Sequence, residues 1–124
     1  MMPWLAVALG GALGAMGRYG VGAVLFPVEG NRFPLSTLVV NVLGSLLMGV
    51  AYVIIVEKSL LTGQWRELLM IGFLGAFTTY STFSLDALAL WQNGHLALAL
   101  FYVVSTLFLC LGGTLTGLAL TRLI

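Results

Sequence analysis

The sequence predicts an all-α integral membrane protein, with four transmembrane helices in a single domain over residues 1–124. Hydrophobic residues make up 60% of the chain and charged residues only 7%, whereas soluble domains carry roughly 25% charged residues. Four segments are apolar over the length of about 20 residues that a bilayer crossing requires. Only short turns remain between them. The net charge of +1 is too small to indicate a nucleic-acid or acidic partner.

The first helix is predicted at about 4–26 and is followed by the loop PVEGNRFP. The N-terminal stretch MMPWLAVALGGALG lacks the charged start of a signal peptide, so we expect it to be retained as part of this helix. Arg18 lies inside the helix, where a charge is costly unless it faces water or a partner. It is either a snorkelling anchor at the membrane edge or a positive charge that attracts anions at an aqueous entry.

The second helix is predicted at about 35–56 and contains Asn41 in the segment LVVNVLGS. An amide in lipid needs hydrogen-bond partners. Asn41 therefore either joins two helices, which is common in membrane proteins, or points an N–H donor into a polar track.

The third helix is predicted at about 66–92, and the turn NGH separates it from a fourth helix at about 96–120. A straight third helix would reach about 40 Å, more than the hydrocarbon core of about 30 Å. The surplus allows a break near the midplane, at the hydroxyl-rich run TTYSTFS (78–84). A break at that depth is stable only where protein or a polar cavity covers it.

The run TTYSTFS holds five Ser and Thr hydroxyls, more than back-bonding to the preceding turn requires. Tyr80 and Phe83 are three residues apart, so a helical turn places both rings on one face. Hydroxyls, an amide N–H and the positive edges of aromatic rings suit a small dehydrated anion. Carbonyls freed by a helix break suit a cation instead.

The fourth helix carries Tyr102, Thr106 and Cys110 at a spacing of four residues, which makes a stripe along one face. The stripe either lines the same route or packs against another helix. Thr114 is expected off this stripe and bonded back to its own helix. Asp86, just beyond the predicted break, is expected to cap or pair near an aqueous mouth.

Small residues occur at the spacing that lets helices approach closely. They pack helices within one chain or, together with the small size of the chain, favour a homo-oligomer. Lys and Arg are nearly balanced between the two sides, so orientation is weakly specified and an antiparallel pair is possible. The small-residue pairs are Gly10/Gly14, Ser45/Gly49, Gly72/Ala76 and Gly113/Gly117.

Enzymatic function is not expected. No set of nucleophile, base and oxyanion donors is present. His95 lies in a turn without a second ligand nearby, so a side-chain metal site is not expected either. Cys110 is the only cysteine, which rules out an intrachain disulfide.

Three motifs follow one another along the first three predicted helices: GALGAMGRYG (11–20), STLVVNVLGSLLMG (36–49) and GFLGAFTTYSTFS (72–84). On these motifs the chain resembles the CrcB/Fluc family of fluoride channels. The resemblance implies an antiparallel, dual-topology homodimer in the cell (inner or plasma) membrane. It also implies passive, fluoride-selective export along two pathways, and a structural sodium ion at the dimer interface.

The resemblance also assigns roles to residues. It implies that Arg18 lies at the vestibule and that backbone carbonyls of Gly75 and Thr78 bind the sodium. Tyr80 stands where the family usually has phenylalanine, and Cys110 stands where serine is usual. The fluoride-pathway residues implied by the resemblance are Asn41, Tyr80, Ser81, Thr82, Phe83, Tyr102, Thr106 and Cys110.

Two other functions fit parts of the sequence. A small dual-topology, proton-coupled exporter of cationic compounds has a similar size and charge balance, but requires an acid within the membrane, for which Asp86 is the candidate. A membrane scaffold without transport activity would use the glycine-rich faces equally well, but does not account for the hydroxyl run.

Overall fold

The computed structural model describes residues 2–26 and 33–124, and every regular element within these ranges is a helix. The predicted all-α class is therefore confirmed. Most of the predicted loop PVEGNRFP, residues 27–32, lies outside the described residues. Helix α1 spans Met2–Gly20 and continues as a π-helical turn, Val21–Leu25. Helix α2 spans Leu35–Ala51 and continues as Tyr52–Glu57, also π-helical.

The predicted third helix is broken, as expected, and forms two elements. Helix α3 consists of a π-helical stretch, Arg66–Leu74, and a last α-helical turn, Gly75–Phe77. Thr78 and Thr79 are then extended, with φ/ψ of −90°/159° and −151°/123°. Helix α4 spans Tyr80–Gln92. The break thus lies at the first two residues of the hydroxyl run.

Helix α5 spans Leu96–Arg122. The turn before it contains Gly94, whose φ of 84° lies in the left-handed region that glycine adopts without strain. This explains why α4 ends at the Asn-Gly pair, where the sequence predicts a helix stop.

The helices pack as two close pairs, α1 with α3 and α2 with α5. A Cβ atom on Gly10 would collide with the carbonyl oxygen of Leu68, and one on Gly14 with the carbonyl oxygen of Phe73. In the second pair, a Cβ on Gly117 would meet the carbonyl oxygen of Leu46. These small residues therefore join helices inside one chain, and they no longer support the prediction of an oligomer.

Among the described residues, three helices are long and apolar enough to cross a membrane: Leu35–Glu57, Arg66–Gln92 counted across the break, and Leu96–Arg122. Helix α1 is not among them, since its glycines and Arg18 dilute its apolar character. Large apolar side chains on the outer face of α5 are exposed, with Phe108 at 68% and Leu115 at 65% exposure. Lipid is the environment in which such a surface is stable. These features support a membrane protein, while four crossings stay a prediction.

Candidate functional site

The helix break is bonded to Asn41 of α2. Its Oδ1 accepts a hydrogen bond from the Thr79 backbone N–H at 2.8 Å, and its Nδ2 donates to the Thr79 carbonyl at 3.0 Å. The amide thereby pairs both backbone groups of a residue that lies outside the helices. Asn41 is only 7% exposed, so these bonds form where unpaired polar groups would be costly. Asn41 therefore joins two helices, and it also lines the cavity that contains Tyr80 and Phe83, with one Nδ2 hydrogen left for another acceptor.

Arg18 holds the other side of the break. Its Nε donates to the carbonyl oxygen of Ala76 in the last turn of α3, at 3.0 Å. Arg18 is partly exposed, and its bond joins α1 to the end of α3. It also lines a cavity of about 440 Å³, which we call the Arg18 cavity.

The break redirects two backbone N–H groups. In a continuous helix, the N–H of Thr79 would bond the carbonyl of Gly75, and the N–H of Thr82 the carbonyl of Thr78. Instead, the N–H of Thr79 donates to Asn41 and that of Thr82 donates to the Oγ1 of Thr79 at 3.2 Å. The second bond is an ordinary N-cap, for which threonine is suited. The carbonyls of Gly75 and Thr78, the predicted sodium ligands, are thus released from helical hydrogen bonding.

Two cavities lie on either side of Thr79. The Arg18 cavity is also lined by Ser36, Thr37 and Thr82. A second cavity, of about 460 Å³, includes Tyr80 and Phe83 and is called the aromatic cavity. Thr79 lines both, so the extended backbone of the break forms the wall between a cationic cavity and an aromatic one.

Tyr80 and Phe83 are in contact, with ring centroids 5.6 Å apart, as their spacing predicts. Phe83 continues the contact to Tyr102, at 5.2 Å. The ring of Tyr80 is 80% exposed, so the aromatic cavity is open on that side of the chain. Tyr102 is completely buried, and its hydroxyl donates to Oδ2 of Asp86 at 3.3 Å. Asp86 is therefore paired, as expected, although its partner is a phenol.

Only part of the predicted stripe on α5 lines the aromatic cavity. Thr106 and Cys110 line the aromatic cavity, whereas Tyr102 lies beyond it, against Phe83. Among the described residues, the Oγ1 of Thr106 has no hydrogen-bond partner although it is buried. The prediction for Thr114 was wrong: it lines the same cavity, and its hydroxyl donates to the Ser45 carbonyl of α2 at 3.0 Å. Thr114 lies four residues after Cys110, so the stripe continues one turn further than predicted.

The five hydroxyls of the run separate into two groups. Thr78 and Ser84 bond back to carbonyls four residues earlier, at 2.9 and 3.1 Å, which is the ordinary behaviour of such residues in helices. The Oγ1 of Thr79 lies 3.1 Å from the Thr82 hydroxyl oxygen and 3.4 Å from the Ser81 hydroxyl oxygen. Thr82 faces the Arg18 cavity rather than the aromatic one, and Ser81 is exposed. The predicted pathway residues are therefore not all in one place.

Three residues at this site were not among the predicted site residues, although Thr79 belongs to the hydroxyl run. Thr79 is both the N-cap of α4 and the partner of Asn41. Thr37 is buried beside Arg18. Gly44 faces the break so closely that an added Cβ would collide with Cγ2 of Thr78. The spacing of Gly44, three residues after Asn41 on the same helical face, is the signal that would have identified it.

Comparison with known proteins places this site in a family. The family model of CrcB-like proteins (camphor resistance, CrcB) matches residues 5–118. A fluoride-specific ion channel of Saccharophagus degradans is 56% identical over 119 residues, covering 96% of this chain and 89% of that protein. A protein of the same name from Hahella chejuensis is 52% identical, covering 95% of this chain and 93% of that protein. Another from Coxiella burnetii is 40% identical, covering 95% of this chain and 96% of that protein. The resemblance read from the three motifs is confirmed, and the chain belongs to the CrcB family.

Proposed function

We propose that this chain is a passive, fluoride-selective ion channel that exports fluoride across the cell membrane. Its relatives, at up to 56% identity, are named fluoride-specific ion channels. Because an ion channel is not an enzyme, these names also confirm the prediction of a non-enzymatic function. The structural observation that carries the proposal is the broken helix between the Arg18 cavity and the aromatic cavity.

The proposed route begins at the Arg18 cavity, where a fixed positive charge raises the local concentration of anions. Thr37 and Thr82 line this cavity, and hydroxyl groups are suited to replace the water of a small anion. The route continues into the aromatic cavity, whose ring edges carry positive potential. There the hydroxyl of Thr106 and the thiol of Cys110 supply further donors.

The proposed active form is an antiparallel homodimer with two pathways. Tyr80 is 80% exposed in the single chain, so the aromatic cavity lacks a wall that a second copy would supply. A two-fold axis would repeat that arrangement once in each copy. The weak Lys and Arg asymmetry permits both orientations.

The proposed cofactor is a sodium ion between the two copies, held by the carbonyls of Gly75 and Thr78 from each. Both carbonyls are released at the break, and Gly75 is exposed on the single chain. Neutral backbone oxygens suit a monovalent cation such as sodium. When bound, the ion supplies a fixed positive charge next to the break.

A liposome experiment tests the channel. Purified dimer is reconstituted in liposomes loaded with potassium fluoride, valinomycin is added to let potassium follow, and a fluoride electrode records release. Rapid fluoride release, with none from chloride-loaded liposomes to a chloride electrode, is the expected result. Well-folded dimer that releases no fluoride would overturn the proposal.

The alternative, a proton-coupled exporter of cationic compounds, would require Asp86 to exchange protons with solvent. Asp86 instead accepts a hydrogen bond from the buried Tyr102, and no observation on the described residues favours this function. Ethidium transport driven by a pH gradient and abolished by Asp86→Asn would replace the channel by the exporter.

A further inference from the structure

Arg18 makes a contact that its charge alone does not explain. Nitrogen Nε, the donor to Ala76, sits inside the side chain rather than at its tip, and the bond is 3.0 Å long. In a continuous helix the carbonyl of Ala76 would accept from the N–H of Tyr80, but Tyr80 begins α4 beyond the break. Arg18 therefore replaces a backbone donor that the break removes.

The position of this bond matters because it occupies one of the carbonyls at the end of α3. The last carbonyls of a helix are unsatisfied and carry partial negative charge, so each of them is a potential cation ligand. Arg18 occupies that of Ala76, while those of Gly75 and Thr78 lose their helical partners to Asn41 and to the N-cap. Arg18 and Asn41 thus form hydrogen bonds on opposite sides of the break, at Ala76 and at Thr79.

We propose that Arg18 is a positioning residue: its Nε–H bond to Ala76 fixes the end of α3, where the Gly75 and Thr78 carbonyls have lost their helical partners. This role differs from that of a vestibule charge, because it depends on one N–H at one place and not on the positive charge. For its consequence on cation binding, the inference rests on the proposed function.

Two substitutions separate the bond from the charge. In Arg18→Gln, Nε2 stands the same number of bonds from Cα as Nε of arginine, so the donor is kept and the charge removed. In Arg18→Lys, a methylene stands at that position, so the charge is kept and the donor displaced. Arg122→Gln serves as the control, since it removes a positive charge from an exposed ion pair with Glu57, a type of pair that contributes little to stability.

The decisive measurement is hydrogen–deuterium exchange of purified, sodium-free dimer, followed on peptides that cover residues 75–83. We expect wild-type exchange in Arg18→Gln and in the Arg122→Gln control, and exchange about tenfold faster in Arg18→Lys, because the break opens more often. Equal exchange in the Gln and Lys variants, or faster exchange in Gln alone, would overturn the proposal.

Fluoride release and its sodium dependence then separate this inference from the proposed function. In Arg18→Lys, we expect half-maximal release to need about tenfold more sodium, while Arg18→Gln keeps the wild-type sodium dependence but releases fluoride more slowly. Wild-type protein that releases no fluoride would refute the channel, whereas the exchange result would still decide whether Arg18 positions the break.

Discussion

Asn41 and Thr79, from two different helices, form a pair joined by two hydrogen bonds, with the amide of one side chain bonded to both backbone groups of the other residue. This pair replaces helical bonds that α3 and α4 cannot make with each other. It places Thr79, in extended conformation, between the Arg18 cavity and the aromatic cavity. The wall between the two cavities therefore depends on a single amide of α2.

Asn41→Asp is expected to destabilise the protein and to slow fluoride release. A carboxylate accepts from the N–H of Thr79 but cannot donate to its carbonyl, and it adds a negative charge beside an anion route. We expect a loss of about 1–3 kcal/mol in the free energy of unfolding, the usual cost of an unsatisfied buried group, and release slowed by at least about tenfold.

The free energy is measured by denaturant unfolding in detergent and release with the fluoride electrode. Asn93→Asp, in the exposed turn before α5, is the matched control and should change neither quantity. Wild-type release from the Asn41→Asp variant would show that the pair does not shape the route.

Gly44→Ala is expected to displace the break. The new methyl would collide with Cγ2 of Thr78, and rotation of Thr78 would lose its bond to the Leu74 carbonyl. Overpacking of this kind costs about 1–3 kcal/mol. Gly112→Ala is the control, because nothing lies within 4 Å of its Cβ position.

The double variant Gly44→Ala/Thr78→Ser tests whether the collision with Cγ2 of Thr78 causes the destabilisation, since serine lacks this methyl group. We expect the double variant to recover most of the stability lost in the single one, as a double-mutant cycle would show for two residues in contact. Destabilisation that Thr78→Ser does not relieve would mean that the collision is with something else.

Phe83→Ile is expected to abolish most fluoride release, because it removes the ring between Tyr80 and Tyr102. Each aromatic contact contributes about 0.5–1.5 kcal/mol beyond its buried area, so a modest loss of stability should accompany the effect. The same fluoride-electrode measurement applies.

Tyr80→Phe is the matched variant, because it keeps the ring edges and removes only the hydroxyl. We expect release at least as fast as that of wild type, since the hydroxyl adds bulk at the open side of the aromatic cavity. Slower release in Tyr80→Phe would instead identify the hydroxyl as a donor to the ion.

Thr106→Val is expected to separate stability from conduction. The Thr106 hydroxyl is buried without a partner among the described residues, so replacing it by a methyl of similar size should leave the free energy of unfolding unchanged or raise it by about 1 kcal/mol. Fluoride release should fall, because a donor in the aromatic cavity is lost.

Thr114→Val provides the contrast one stripe position further along α5. Its hydroxyl is bonded to the Ser45 carbonyl, so its loss should destabilise the protein by about 0.5–1.5 kcal/mol, the net value of one hydrogen bond. If Thr106→Val destabilised the protein as much as Thr114→Val, the Thr106 hydroxyl would have to be bonded in the assembled channel.

The sequence alone determined the class, the extent of the helices and the place of the break. Hydropathy identifies apolar segments because lipid excludes unpaired polar groups, and the run that begins at Thr78 marks where the backbone leaves the helix. Local spacing also predicted the contact between Tyr80 and Phe83, since residues three apart are neighbours on any helix. None of these inferences needed to know which helices are adjacent.

Only the tertiary structure decided which groups meet. That Asn41 bonds Thr79, that Arg18 bonds Ala76 and that Gly14 packs against Phe73 depends on which helices pair and how each is rotated about its axis. A helical period places residues on a face but does not say what that face touches. For the same reason, the hydroxyls that are contiguous in TTYSTFS became divided between two cavities once the backbone turned at Thr79.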